Sequence, residues 1–445
     1  MATWQFPTVF SGWVESLGQE LDKRLRPTLN EICLGVLFAH GRRTVSSWLR
    51  AVGVGPGFED YYYFLGSLGR KCEWVAGRVL RIIQKHLPLP ERLLFGLDDT
   101  PTKRYGPKVE GAGIHHNPTP GPADQKFLYG HVWVTLAWLF RHPRWGTVAL
   151  PLLARLYVRA KNVWLLRFLY GWEFRTKLEL AAELVEWLAR WLNYLGKTLW
   201  VVADGAYAKR PFLERAAKAR VTVVSRLRKD AALWSVPEPP TPGNRRRGRP
   251  RIYGSERIDL AKRAGQSRAW QTDEFLLYGK SVTTRYKTFL ATYRPAGGLV
   301  RVVLARNDNG TWAAFFCTDP QASVAEILEA IADRAAIEQV FHDVKEVHGA
   351  GQQQVRNVWA NLAAWHAILW MHTLVEVWAW EQPQSRLCDR SDSPWDDPRR
   401  RPSHADRCKA LRRACLEDEF RRCGTRRIDV QKILALAQRL AKRAA

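Results

Sequence analysis

The spacing of apolar and polar positions changes period twice along the chain. Up to about residue 90 it is helical: Ile32–Ala39 and Val45–Val52 repeat apolar residues three and four positions apart. Thr44 stands where an N-cap would open the second segment, directly after Gly41-Arg42-Arg43. A helix, a basic turn and a second helix are expected there. Such a pair serves either to read DNA, with Arg42 and Arg43 on phosphates, or as part of a plain bundle with basic turns. Trp48 is assigned to the core.

From about residue 91 the runs shorten and become strand-like. Leu93–Leu97 leads into Asp98-Asp99, and Thr100-Pro101 is expected to break the strand. Leu128–Phe140 and Val148–Val158 read as longer strands. A helix over Lys177–Leu195, a buried strand over Thr198–Asp204, a helix at Pro211–Ala219 and a strand at Val221–Leu227 follow. This order predicts a mixed α/β sheet with both faces covered. The Pro-rich stretch Pro237–Pro242 and the basic arm 245–251, which carries Arg247 and Arg249, then interrupt the pattern. Tyr286–Tyr293, Val300–Ala305 and Thr311–Phe316 are strand-like again. Helices are expected at Val324–His348 and Val355–Trp380, and an Arg-rich polar tail ends in an amphipathic stretch at Val430–Leu440. The domain plan is therefore a helical DNA-binding domain (1–90), the first part of a catalytic core (91–228), a β-rich insertion with a basic linker (229–320), the rest of the core (321–381) and a basic C-terminal region (382–445).

Charge narrows the partner. The chain holds 69 Lys and Arg against 43 Asp and Glu, a formal charge of +26. An excess of that size points to a polyanion, because each cation set on a phosphate releases condensed counterions. Ribosomal proteins, nucleases and recombinases all meet that condition. No apolar run reaches the roughly 20 residues of a membrane span. The seven scattered cysteines are read as free thiols in a reducing cytoplasm. His404, Cys408, Cys415 and Cys423 lie close together in sequence but lack the Cys-x-x-Cys pairing of zinc sites, and are read as unliganded.

Carboxylates at strand ends carry the candidate chemistry. Hard cations such as Mg²⁺ bind carboxylate oxygens, and two such ions can activate a nucleophile and stabilise a leaving oxygen at a phosphodiester. Asp98 and Asp204 each end an apolar strand, with Asp99 a rival to Asp98. In Arg334–Lys345, the residues Arg334, Glu338 and Lys345 fall within about 40° of one another on a helix. Ile337, Val340, Phe341 and Val344 form the adjoining apolar stripe. A solvated, salt-bridged face is the plainer reading of the same spacing.

These residues resemble a family. Arg334-x3-Glu338-x6-Lys345 is similar to the YREK signature of bacterial insertion-sequence transposases of the insertion sequence 4 type, with Ile331 where that signature has Tyr. Asp98-Asp99-Thr100 resembles the family's Asp-x-Ser/Thr motif, and Val202–Tyr207 its apolar strand into Asp-Gly. The resemblance covers about 30–380 in motif order. It implies an RNase H-like fold on which Asp98, Asp204 and Glu338 hold two Mg²⁺ ions, or Mn²⁺, while Arg334 and Lys345 contact DNA phosphates. It implies cut-and-paste transposition, with terminal inverted repeats and target DNA as partners. A homodimer in the DNA complex, with contacts after Gln382, and a cytoplasmic, nucleoid-associated location are also expected. Trp234, Trp270 and Trp312 are candidates for a base-receiving aromatic in the insertion. Arg247-Gly248-Arg249-Pro250 resembles minor-groove arms. Two other readings stand beside this one: an RNase H-like nuclease or resolvase that cuts without joining, and a non-catalytic DNA-binding protein derived from a transposase.

Overall fold

A computed structural model of the chain describes residues 4–117, 125–238, 251–307, 310–388, 390, 393, 395–397, 399–423, 433–434 and 437. Five helices open it: α1 (Thr8–Gly18), α2 (Arg26–Phe38), α3 (Val45–Ala51), α4 (Glu59–Gly69) and α5 (Cys72–His86). The Thr44 hydroxyl accepts from the Ser47 amide at 3.1 Å, so the expected cap is made. Trp48 is fully buried.

Strands β1 (Arg92–Lys103), β2 (Gly113–His116), β3 (Phe127–His142) and β4 (Gly146–Tyr157) come next, then α6 (Val163–Tyr170) and α7 (Lys177–Leu192). Strand β5 (Thr198–Ala203), helix α8 (Arg210–Lys218) and strand β6 (Val221–Leu227) complete the alternation. The order across the sheet is β4-β3-β1-β5-β6, with β3 and β4 antiparallel and β1, β5 and β6 parallel. The region after β6 holds β7 (Leu233–Trp234), β8 (Arg257–Ile258), α9 (Leu260–Gly265), β9 (Gln271–Leu277), β10 (Lys280–Tyr293), β11 (Gly298–Arg306) and β12 (Trp312–Cys317). Strand β12 pairs antiparallel with β6, so these strands extend the same sheet. Helices α10 (Val324–Asp333), α11 (Ala335–Glu346), α12 (Val358–Ala379), α13 (Gln384–Leu387) and α14 (His404–Cys423) close the described chain.

Three expectations are corrected. First, β1 does not stop at Thr100-Pro101. Beyond Leu97 its β5 neighbour has ended, so β1 is bonded only to β3, where Pro101 lies opposite Val132. A proline without an N–H is tolerated on a one-sided strand. Second, the single helix expected over Val324–His348 is two helices that meet at Arg334, whose backbone keeps right-handed angles through the break (φ −56°, ψ −31°). Arg334 is therefore the hinge between α10 and α11 instead of one position on a continuous face. Third, the C-terminal region read as a polar tail contains α14. The stretch Val430–Leu440 lies almost wholly outside the described residues.

Helix α12 shows why the core holds together. Nearly all of its 22 residues are buried, and it packs against α4, α5 and β4. A helix apolar all round belongs inside a protein or a membrane; among the described residues no helix is long and apolar enough to cross a membrane. Three of its polar groups serve β4, whose pairing with β3 is irregular at Leu136/Ala137, next to Pro151. The His366 ring accepts from the Ala154 amide (3.0 Å), while Trp370 and Thr373 donate to the carbonyls of Leu152 (2.9 Å) and Pro151 (2.6 Å). Backbone groups freed by the bulge are thus satisfied from the helix. Trp365 stacks on Trp133 of β3, ring centroids 4.9 Å apart. One hydrophobic cluster runs from Trp4 to Cys415.

Candidate active site

The register of the parallel strands sets the centre. Leu97 of β1 lies opposite Ala203 of β5, so the next residues, Asp98 and Asp204, stand side by side where the pairing of these two strands ends. Asp204 opens a short helical turn: its carboxylate accepts from the Ala206 amide at 3.1 Å, and its carbonyl accepts from Ser225 at 3.1 Å. Asp98 stays in β1, paired with Thr135 of β3. Its carboxylate accepts from the Asp99 amide at 2.8 Å and from Arg334 Nη1 at 2.5 Å.

Arg334 joins the third carboxylate to the first. Its other terminal nitrogen donates to Glu338 Oε1 at 3.0 Å. The Asp98 side chain is 18% exposed and that of Glu338 60%, so one carboxylate is fixed in the sheet and the other reaches toward solvent. The apolar stripe of α11 (Ile337, Val340, Phe341 and Val344) is buried, as the spacing requires. Among the described residues, Asp98, Asp204 and Glu338 do not all meet within 4.8 Å. Burial pushes the Asp98 carboxyl up to about 6; Arg334 and the Asp99 amide oppose the rise, while the Asp99 and Asp204 charges add to it.

Asp99 points elsewhere. Tyr207 donates to it at 2.8 Å and Lys177 at 2.6 Å. Successive strand residues face opposite ways, which separates the two neighbours: Asp98 belongs with Arg334 and Glu338, Asp99 with Lys177 and Tyr207. Tyr207 is buried, and burial followed by the Asp99 charge raises its hydroxyl well above the usual tyrosine range. Sequence reasoning missed Lys177 and Tyr207; the only signal was Tyr207, three residues after Asp204.

Lys345 donates to Thr100 Oγ1 at 2.7 Å, two positions along β1 from Asp98. Burial lowers its ammonium pKa. Arg42 is exposed, whereas Arg43 is docked: its amide donates to Gln352 Oε1 (2.9 Å) and its carbonyl accepts from Gln353 (3.2 Å). That loop reaches the far end of β1, where Arg104 donates to the Gly351 carbonyl at 2.6 Å. Arg247 and Arg249 lie outside the described residues. Trp270 sits near Lys287, and Trp234 and Trp312 each carry a cation over the ring, from Arg294 and Lys229.

A family model for DDE superfamily endonucleases matches residues 16–275, more than half of the chain. The chain belongs to that family. The matched span of this DDE endonuclease contains Asp98 and Asp204; Glu338 lies beyond it. The mixed sheet β4-β3-β1-β5-β6 flanked by helices is the RNase H-like arrangement expected of the family. No curated protein matches the chain. Among solved structures it is similar to the piggyBac transposase synaptic complex with hairpin DNA, determined by cryo-EM, at 9% identity and a TM-score of 0.38. The match covers 94% of this chain and 65% of that one. A likeness this distant carries no inference about the present protein.

Proposed function

We propose that the chain is a transposase that cleaves DNA at the ends of its element and joins the freed 3′ hydroxyl to another strand. Asp98, Asp204 and Glu338 are its metal ligands. The observation that carries this reading is the side-by-side placement of Asp98 and Asp204 where the pairing of parallel strands β1 and β5 ends, with Glu338 tied to Asp98 through Arg334. The donor set fits hard divalent ions: three carboxylates, no sulfur or imidazole, with Asp98 raised chiefly by burial and further by the nearby Asp99 and Asp204 charges. Two Mg²⁺ ions, or Mn²⁺, would be held by these three residues and would supply nucleophile activation and leaving-oxygen stabilisation.

The chain's own groups do the positioning. Asp98, locked in β1, sets the floor of the site. Arg334 keeps Asp98 ionised and orients Glu338 on α11. Lys345 fastens α11 to β1 through Thr100, which fixes the helix carrying Glu338 against the strand carrying Asp98. Arg334 and Lys345 also supply positive charge where phosphates would approach. Exposed Arg42, the docked Arg43 and the arm with Arg247 and Arg249 extend the basic surface along DNA, in keeping with the +26 charge. The cut-and-paste course, the use of inverted repeats and target DNA, the homodimer and membership of the insertion sequence 4 branch complete the proposal.

The test is excision of a reporter flanked by the DNA that borders this gene, comparing wild type with Glu338→Gln. Excision by the wild type alone supports the reading. Cutting without any joined product transfers the site to a nuclease or resolvase, and excision by both proteins removes Glu338 from it.

A further inference from the structure

A second cluster lies outside the acidic site. His348 follows α11, and His404 and Cys408 stand four residues apart on α14, hence on one helical face. All three are buried. His404 Nε2 lies 2.8 Å from His348 Nε2 and 3.4 Å from Cys408 Sγ, and Cys408 Sγ lies 3.9 Å from His348 Nε2. Ligand atoms around a tetrahedral zinc, at bond lengths of about 2.0–2.3 Å, stand roughly 3.3–3.6 Å apart. The three observed separations bracket that range.

We propose that His348, His404 and Cys408 bind a zinc ion that staples α14 to the end of α11. Two imidazoles and a thiolate suit zinc, whereas Mg²⁺ prefers oxygen. The surroundings have the form such sites take. His404 turns its other nitrogen, Nδ1, onto Glu376 Oε1 at 2.6 Å, and Arg407 bonds the second oxygen of Glu376. A carboxylate behind a ligating histidine fixes its tautomer and aims its free nitrogen. His372 stacks on the His404 ring, centroids 4.0 Å apart, which holds the ring plane. His372, Glu376 and His404 form an alternative ligand group within 4.8 Å. In that group Glu376 is already engaged by His404 and Arg407, and a thiolate is lacking. A cavity of about 950 Å³ is lined by His372, Glu376 and His404. With three protein ligands, the fourth position falls to water.

The Cys-x-x-Cys criterion passes over this site because His348 stands 56 positions before His404 and 60 before Cys408. A metal here would fix the C-terminal helix to α11, the helix that bears Glu338 and Lys345.

The test is metal analysis of the full chain, prepared without an affinity tag that binds metal, reconstituted with zinc and then passed through excess Mg²⁺. The expected result is about one zinc per chain and, after cobalt exchange, a near-ultraviolet thiolate-to-cobalt charge-transfer band. Cys408→Ser is expected to lose the band while Cys388→Ser keeps it, and Glu376→Gln to weaken binding about 10- to 100-fold. Wild type that holds no zinc, or gives no thiolate band with cobalt, overturns the site and leaves a plain His348–His404 hydrogen bond. Because the wild type alone decides this, a variant that fails to fold does not blur the outcome.

Discussion

Arg334 Nη1 donates to Asp98 Oδ2 at 2.5 Å across 236 positions of chain, and the same guanidinium holds Glu338. A planar guanidinium holds two carboxylates with donors in fixed directions, whereas an ammonium is a point charge on a flexible stem. Arg334→Lys is therefore expected to keep part of the activity, and Arg334→Ala to lower the cleavage rate about 100-fold or more, the scale of losing one preorganised electrostatic contact. Without the cation, the Asp98 carboxyl rises further, so Arg334→Ala should also need more Mg²⁺ and a higher pH. Cleavage rates over a Mg²⁺ series at two pH values check this. Unchanged rates in Arg334→Ala would mean the bridge has no catalytic role.

The pair Asp98-Asp99 divides its labour by facing. Asp98→Asn is expected to abolish cleavage while Asp99→Asn retains it, because Asp99 is spent on Lys177 and Tyr207. Tyr207→Phe leaves an oxygen of half-buried Asp99 without its donor and should cost about 1 kcal/mol of stability. Urea unfolding beside cleavage assays separates the two effects. Equal loss of cleavage in both Asp variants would restore Asp99 as a rival.

Helix α4 crosses α12 at Gly69, where an added Cβ would lie 1.9 Å from the Trp359 carbonyl oxygen. Backbone cannot yield as a flexible side chain can, so Gly69→Ala should destabilise by about 3 kcal/mol. Gly66, three residues earlier, has nothing within 4 Å of such a Cβ. Gly66→Ala should stabilise by up to about 1 kcal/mol through helix propensity. Thermal melts of both variants test the crossing; a harmless Gly69→Ala would place α4 further from α12.

Acid sensitivity has assignable sources. Burial depresses His366 from 6.5 to about 4 and His131 from 6.5 to about 3. Both are neutral when folded, so the unfolded chain takes up more protons below pH 6.5. Their contribution to stability is complete above pH 6.5. It is lost as pH falls, down to about 4 for His366 and about 3 for His131, at up to about 1.4 kcal/mol per pH unit each. His131→Asn should flatten the stability profile between pH 6 and 4 (the range on the order of these shifts). An unchanged slope there would show that His131 is not held neutral.

Much of the site was legible because it rests on local pattern. Apolar runs that end in carboxylates gave Asp98 and Asp204, and the stripe Ile337, Val340, Phe341 and Val344 gave α11 its buried side. Long-range pairing escaped. Nothing local says that β12 bonds to β6, that β1 continues through Pro101 on a one-sided edge, or that the loop after His348 docks on Arg43. The break at Arg334 escaped too, since Ala335-Ala336 favours helix and the hinge keeps helical angles. Helix α14 was hidden by its charge: its buried apolar positions are Cys408, Ala410, Leu411, Ala414 and Cys415, set among arginines and acidic residues that mask the stripe.

The most direct test of the central claim is cleavage of end DNA by purified protein in Mg²⁺, with Asp98→Asn, Asp204→Asn and Glu338→Gln beside wild type. Each substitution removes one carboxylate charge with little change of shape, and circular dichroism confirms that each variant is folded. The account predicts Mg²⁺-dependent nicking by wild type and a loss of about 1000-fold or more in all three variants, the scale expected for groups that act as a unit. Nicking that persists in any one of them while the fold is intact would contradict the assignment of that carboxylate and, with it, the triad.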